Sequence, residues 1–356
     1  MREYEQKRRR KGKIFAAVSL VLVVFGAIAA VYVFFPQWLP EFLRLNEPYR
    51  AVASGSVIPL SNEAEELLKV PNIVKSADIE AAIENNLNEN FQHSFQTEAA
   101  YVVDDQGKVL FAQNEHTRLY PASTTKMMTA YLALTHTEDL DALITVDELT
   151  GCYEWGSLLL YLEQGDQITM RDLLHALLMC SYNDSATAIA MEIGGSLEGF
   201  ASMMNAQLQK IGANETHFVT PHGLHDDEHY TTAHDLNLIL QMAYEVESLR
   251  EIMMTEKATI RIIRNGEPIL YDIQNSSFFV REAYQVPTME YMGGKTGYTE
   301  KAGSCLASVF DFNGTKYFST IMKSEDASYM TTILFDYYFA PKELASFSAT
   351  IPLMRD

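Results

Sequence analysis

Ser123-Thr124-Thr125-Lys126 stands directly before an apolar run that extends from Met127 to Leu134. A run of this length and composition predicts a helix, so Ser123 is expected near the N-terminus of that helix. Residues three apart share one face of a helix, which brings the hydroxyl of Ser123 and the amine of Lys126 within reach of each other. A serine hydroxyl becomes a nucleophile when a base takes its proton, and an uncharged lysine can be that base. We therefore predict Ser123 as a nucleophile and Lys126 as its base.

The base must be neutral, which constrains its surroundings. The reference pKa of a lysine is about 10.4, so a base that works near pH 7 needs a pKa about three units lower. Burial lowers the pKa of an amine, and so does a second cation nearby. The sequence offers Lys295 as that cation.

A second short string, Ser181-Tyr182-Asn183, follows the predicted helix from Arg171 to Met179. A hydroxyl at Ser181 can relay a proton between the base, the nucleophile and a leaving amine. The amide of Asn183 can hold both Lys126 and a substrate carbonyl. Standing alone, the string would be read as the N-cap of the next helix.

A third string, Lys295-Thr296-Gly297, is predicted to lie on an edge strand beside a bound substrate. The ammonium of Lys295 and the hydroxyl of Thr296 suit a substrate carboxylate. Gly297 leaves the strand bare, so that an extended peptide can pair with its backbone. The N–H groups of Tyr298 and Ser123 could form an oxyanion hole. Each string alone is common in ordinary helices and turns, and only the ordered set of three indicates acyl transfer through an acyl-serine intermediate.

The chain around these strings predicts an α+β domain with an antiparallel sheet. Ala99 to Val103 and Lys108 to Ala112 read as a β-hairpin. Asn265-Gly266 and Asn313-Gly314 each lie between β-rich runs and predict two further hairpins, since both turn residues tolerate a positive φ. Thr331 to Phe339 is predicted to close the domain as a helix.

The N-terminal region predicts export and membrane anchoring. Residues 1–13 carry seven basic and two acidic residues, so the rest of the chain is even more acidic than the total of −20. Residues 14–35 form an uncharged apolar run long enough to span a bilayer. The basic flank places the N-terminus in the cytoplasm and the rest outside. A cleaved signal ending near Ala27-Ile28-Ala29 is the alternative, and both place the rest of the chain outside the cell membrane.

The predicted organisation has five parts: a cytoplasmic basic tail (1–13), a transmembrane helix (14–35), an extracytoplasmic spacer (36–96), a catalytic domain (97–340) and a short C-terminal tail (341–356).

The strongly acidic main body argues against a nucleic-acid partner. Cys152, Cys180 and Cys305 are expected to be buried thiols, because three cysteines make no disulfide framework for a chain of this size; a single bridge between two of them is the alternative. The histidines between His217 and His234 lack a metal-binding pattern, so we expect no metal and no cofactor.

Further segments extend the pattern, and with them the sequence resembles the serine-type D-alanyl-D-alanine carboxypeptidases, the low-molecular-weight penicillin-binding proteins. The resemblance covers roughly residues 98–340. The matching segments are Tyr120 to Lys126, Asn183-Asp184-Ser185-Ala186, His217 to Leu224, His229 to Leu236, and Gly294 to Thr299 with Ala302-Gly303. Tyr182 departs from the family, which often has glycine there.

The resemblance implies the penicillin-binding (serine β-lactamase-like) fold, with an antiparallel sheet flanked by helices and an all-helical subdomain that carries Ser181-Tyr182-Asn183. It also implies that Ser123 removes the terminal D-Ala from peptidoglycan stem pentapeptides and is acylated by β-lactam antibiotics. Three alternatives stay open: a serine β-lactamase, a D,D-endopeptidase or transpeptidase on the same fold, and a non-catalytic penicillin-binding wall sensor. No Glu from 184 to 294 has Asn four residues later, which counts against a class A β-lactamase.

Overall fold

The computed structural model describes residues 91, 94–154, 156–282 and 284–339. Nine strands lie in these ranges: β1 (Thr97–Asp104), β2 (Val109–Gln113), β3 (Leu143–Thr145), β4 (Gln167–Thr169), β5 (Lys257–Arg264), β6 (Glu267–Gln274), β7 (Glu290–Thr299), β8 (Gly303–Phe312) and β9 (Thr315–Ser324). The helices are α1 (Lys126–His136), α2 (Met170–Met179), α3 (Asn183–Gly194), α4 (Leu197–Ile211), α5 (Ala233–Tyr244), α6 (Glu247–Met254) and α7 (Ala327–Phe339), and a 3₁₀ turn (Ala122–Thr125) leads into α1.

The strands form two antiparallel sheets. The larger has five strands in the order β2-β1-β9-β8-β7, which leaves β2 and β7 at its edges. The smaller has the order β3-β4-β5-β6. The predicted β1–β2 hairpin is present, and the α+β class with an antiparallel sheet is confirmed.

Both faces of the larger sheet are buried, as the alternation of side chains along its strands requires. Along β1, Ala99 and Val103 face the larger core cluster with α1 to α6, whereas Ala100 and Val102 face a second cluster. The second cluster is closed by α7 through Leu334 and Phe335. The central sheet is thus covered by helices on both faces.

Local sequence explains where several elements begin and turn. Thr169 at the start of α2 accepts a hydrogen bond from the backbone N–H of Asp172, which satisfies a helix N–H that has no partner within the helix. Asn265 and Gly266 have φ values of 53° and 81°, and Asn313 and Gly314 have 54° and 86°. Two successive positive φ values make the tight turns that join β5 to β6 and β8 to β9, as predicted.

The N-terminal predictions lie outside the described residues. These are the basic tail (1–13), the transmembrane helix (14–35) and most of the spacer (36–96); the C-terminal tail (341–356) lies outside them as well. Within the described ranges, every helix is too short or too polar to cross a bilayer. The three cysteines are buried free thiols, as expected.

Candidate active site

Ser123 and Lys126 meet at the start of α1. Ser123 lies in the 3₁₀ turn and Lys126 is the first residue of the helix. The Nζ atom of Lys126 is 2.9 Å from the Oγ atom of Ser123, and the Lys126 side chain is completely buried. The contact predicted from their spacing is therefore present, and the amine is removed from water.

The three polar contacts of Lys126 Nζ within the described residues accommodate an uncharged amine with its lone pair toward Ser123. The Oδ1 atom of Asn183 accepts from Nζ at 2.7 Å, and the backbone carbonyl of His222 accepts at 2.8 Å. Neither oxygen can donate, so they take the two N–H groups of a neutral amine. The lone pair is then left for the hydroxyl proton of Ser123, which is the arrangement that a general base needs.

Two effects hold the pKa of Lys126 well below its ordinary value. The first is burial, which penalises the charged form, and the second is repulsion by Lys295. The carboxylate of Asp184 acts in the opposite direction and is weaker. The sequence prediction named both burial and Lys295 as causes, and the structure contains both.

Lys295 lies on the edge strand β7 and is 2% exposed. Its Nζ atom donates to the carbonyl of Thr296 at 2.9 Å, and burial lowers its pKa to about 7. Because the pKa of Lys126 is held down by Lys295 as well as by burial, Lys126 loses its proton first as the pH rises. Lys295 is therefore the amine that keeps a positive charge in the site.

Gly297 brings β7 against the nucleophile. A methyl group at this position would lie 2.9 Å from both the carbonyl oxygen of Pro121 and the backbone nitrogen of Ser123. Only glycine allows this approach, because both neighbours are backbone atoms that cannot move aside. The backbone nitrogen of Ser123 thus lies beside Gly297. The next residue on β7 is Tyr298, which is 69% exposed. The oxyanion hole of Ser123 and Tyr298 N–H groups stays a prediction.

Asn183 begins α3 and is tied to the neighbouring loop. We call residues 157–162 the strap. The backbone N–H of Asn183 donates to the carbonyl of Leu158 at 2.9 Å, and its side-chain amide donates to the Oγ atom of Ser157 at 3.2 Å. The carboxylate of Asp184 accepts from the backbone N–H groups of Leu160 at 3.0 Å and Leu162 at 3.1 Å. These four bonds fix the strap to the N-terminus of α3.

The strap is also held from its other side, by Arg264 at the end of β5. One guanidinium nitrogen of Arg264 donates to the carbonyl of Tyr161 at 2.9 Å, and the same group pairs with the buried carboxylate of Asp166 at 2.7 Å. Tyr161 has a φ of 61°, which is strained for a bulky side chain. The strap therefore keeps an enforced shape next to Asn183.

Ser181 lies two residues before Asn183 with a φ of 63°, an uncommon conformation for serine. Within the described residues its hydroxyl makes no hydrogen bond, so the structure places it near Asn183 without linking it to Lys126.

Tyr182 is half-buried and packs against the larger core cluster. Burial raises the pKa of its hydroxyl to about 12, so this group is neutral. Thr296 is also half-buried.

His222 and Gly223 are functional positions that the sequence reasoning missed. The backbone carbonyl of His222 contacts Lys126, and Gly223 has a φ of 83°. A methyl group on Gly223 would overlap the carbonyl oxygen of Ala122, which itself has a φ of 49° just before Ser123. The signal was the glycine in Pro221-His222-Gly223, since a tight backbone approach calls for glycine.

The buried histidines of this region support the nucleophile segment. The Nδ1 atom of His229 accepts from the backbone N–H of Val219 at 3.0 Å, so Nε2 carries the proton and donates to the Oγ1 atom of Thr125 at 2.9 Å. Thr125 in turn donates to the carbonyl of Ala122 at 2.8 Å. Burial lowers the pKa of His229 and that of His222 to about 3, so both rings are neutral.

The sequence profile of the D-alanyl-D-alanine carboxypeptidases matches residues 86–326, which include all the site residues described above. The chain belongs to this family. The carboxypeptidase DacD of Salmonella typhimurium is 34% identical over 218 residues, which are 58% of this chain and 52% of that protein. DacA of Haemophilus influenzae is 30% identical over 246 residues, 64% of this chain and 57% of that protein. The chain thus spans about half the length of the curated relatives that it matches.

Solved structures agree with this family assignment. The DD-transpeptidase of Streptomyces K15 superposes with a TM-score of 0.64 at 25% identity, over 70% of this chain and 98% of that one. A D-alanyl-D-alanine carboxypeptidase from Mycobacterium tuberculosis gives a TM-score of 0.61 at 27% identity, over 69% and 92%. The penicillin-binding fold predicted from the resemblance is confirmed.

Proposed function

We propose that this chain is a serine-type D-Ala-D-Ala carboxypeptidase that removes the terminal D-Ala from peptidoglycan stem pentapeptides. The observation that carries the proposal is the completely buried Lys126, whose Nζ atom lies 2.9 Å from the Oγ atom of Ser123 and whose pKa is held well below its ordinary value. Membership of the carboxypeptidase family supports the same reaction.

In the proposed acylation, Lys126 takes the proton of Ser123 while Oγ attacks the carbonyl carbon of the penultimate D-Ala. The N–H groups of Ser123 and Tyr298 stabilise the negative oxygen of the tetrahedral intermediate. The peptide C–N bond then breaks, and the leaving amine of D-Ala receives a proton from Lys126 through the hydroxyl of Ser181. Water then attacks the acyl-Ser123 ester with the same base and restores the free serine.

Lys295 and Thr296 are the proposed binding groups for the substrate's terminal carboxylate. A carboxylate beside the buried amine of Lys295 favours its charged form and raises its pKa above the value of about 7 in the free protein. Substrate binding would thus complete the separation of roles, with a cationic Lys295 and a neutral Lys126.

β-Lactam antibiotics are proposed to acylate the same serine. Their strained amide would open on attack by Ser123 and leave a covalent acyl-enzyme.

We further propose that residues 14–35 anchor the chain in the cell membrane, with the N-terminus in the cytoplasm and the catalytic domain outside. The apolar run and its basic N-terminal flank support this topology.

The test is the release of D-alanine from diacetyl-L-Lys-D-Ala-D-Ala by the full-length chain in detergent, with Ser123→Ala as the matched control. We expect the wild type to release D-alanine and to be labelled by a fluorescent penicillin, and the variant to do neither. Labelling without release would indicate a wall sensor, whereas rapid turnover of penicillin would indicate a β-lactamase. Transfer of the acyl group to an added amine in place of water would indicate a transpeptidase.

A further inference from the structure

The side-chain amide of Asn183 has two different ends, and the reaction depends on which end faces Lys126. Its oxygen accepts from Lys126 Nζ at 2.7 Å, while its nitrogen donates to Ser157 Oγ at 3.2 Å. An amide flipped by 180° has nearly the same shape, so shape alone cannot select the orientation. Hydrogen-bond partners must select it.

Ser157 is the described partner of the nitrogen end. Its hydroxyl is held in place by a local turn: Oγ accepts from the backbone N–H of Glu154 at 2.8 Å, and the Ser157 N–H donates to the Glu154 carbonyl at 2.9 Å. A hydroxyl oxygen has two lone pairs. One is used by Glu154, and the other is available to the amide of Asn183.

The orientation matters twice during acylation. Once Lys126 has taken the proton of Ser123, it is an ammonium that needs an oxygen in front of it, and a flipped amide would present its N–H groups instead. In the observed orientation, Ser157 uses one of the two N–H groups of Asn183. The second remains for a substrate carbonyl, which a flipped amide would repel with its oxygen.

We propose that Ser157 is a positioning residue, which holds the Asn183 amide with its oxygen toward Lys126 and one N–H toward the substrate. The inference rests on the proposed function, because it concerns the acylation of Ser123. Ser157 does not touch the reacting atoms and acts through Asn183.

The first test is the rate constant for acylation by a fluorescent penicillin, measured against pH. We expect Ser157→Ala to be acylated about tenfold more slowly, the effect of losing one hydrogen bond. The acidic limb of this pH profile is the rise in rate as Lys126 loses its proton. We expect this limb to lie at lower pH in Ser157→Ala than in the wild type, because a flipped amide disfavours the ammonium form of Lys126. Ser157→Thr keeps a hydroxyl and should recover most of the rate. Glu154→Ala is the matched control, since the Glu154 side chain is exposed and its backbone N–H is retained.

The second test is a double-mutant cycle with Asn183→Ala. If Ser157 acts only through Asn183, Ser157→Ala should have no further effect in that background. An equal loss in both backgrounds would overturn the proposal, as would wild-type rates in Ser157→Ala or a slower rate with an unmoved acidic limb. If Ser157→Ala unfolds at a lower temperature, Ser157→Cys, which keeps the volume and weakens the bond, is measured in its place. Failure of the wild type to form an acyl-enzyme would instead contradict the proposed function.

Discussion

Lys126 and Lys295 are two buried amines whose proton affinities depend on each other, and this gives the pH profile of acylation two limbs. The rate should rise with pH as Lys126 loses its proton, since only the neutral amine can act as a base. It should fall above about pH 7, where Lys295 loses the charge that binds the carboxylate.

Replacing Lys295 with Met should move the acidic limb to higher pH, because repulsion by Lys295 no longer lowers the pKa of Lys126. The alkaline limb should disappear. Lys295→Arg keeps a charge that does not titrate in this range, so it should lose the alkaline limb and retain the acidic one. The measurement is the acylation rate constant from pH 4 to about pH 10.

Lys301→Met is the control for the lysine pair, because Lys301 is exposed on the turn after β7. It should keep both limbs. An acidic limb that stays in place in Lys295→Met would show that Lys295 does not set the pKa of Lys126.

At the scale of single residues, the sequence predicted contacts that follow from helix spacing and missed those made by the backbone. Ser123 and Lys126 are three residues apart, so their contact could be derived. The carbonyl of His222 could not be found in this way, because every residue has a carbonyl and only the folded loop places this one at Lys126. Ser157 was missed for a related reason: the strap around it has no regular periodicity.

At the scale of elements, the approach of β7 to the 3₁₀ turn is the contact that assembles the site. Gly297→Ala should lower the acylation rate constant on the order of a hundredfold, the usual effect of losing an oxyanion donor, because the new methyl group pushes β7 and the Tyr298 N–H away from Ser123. The measurement is penicillin acylation together with the thermal unfolding midpoint.

Gly314→Ala is the contrasting variant for this prediction. Gly314 has a φ of 86° in the β8–β9 turn, and a methyl group there would meet no neighbour. It should cost about 1 kcal/mol of stability through backbone strain and leave the acylation rate unchanged. Equal effects of the two substitutions on acylation would contradict a specific role of the β7 contact.

The longer elements were predictable because each carries its own signal. The β5–β6 and β8–β9 hairpins have Asn-Gly turns, and α1, α2 and α3 have apolar runs of helical length. The strands β3 and β4 have three residues each, which is too short for an alternating pattern. They exist because β3 pairs with β4 and β4 pairs with β5, which no local sequence pattern reveals.

At the scale of the whole molecule, the proposed topology predicts where the site can be reached. In intact protoplasts, a penicillin conjugate that cannot cross the membrane should label the full-length chain, because the catalytic domain would lie outside. The Ser123→Ala variant is the control for non-covalent binding, and it should remain unlabelled. Labelling that requires lysis of the protoplasts would invert the proposed orientation.

The fold class and family could be predicted for the whole domain because motifs far apart in sequence occur in a fixed order. Ser123 lies in the 3₁₀ turn before α1, Asn183 on α3 and Lys295 on β7, and the strap that steadies Asn183 comes from yet another segment. The motifs locate the participants, whereas their relative positions depend on packing between distant parts of the chain. That is why the networks around Arg264 and His229 emerged only from the structure.

The acceptor that His222 offers to Lys126 has an evolutionary consequence. Every amino acid has a main-chain carbonyl oxygen. His222 can therefore be replaced during evolution without loss of this contact, provided that the backbone conformation of the loop is retained. Selection for activity then acts on the neighbouring Gly223, because its lack of a side chain allows that backbone conformation. Conservation at position 223 should accordingly exceed conservation at position 222 among homologues that retain the chemistry.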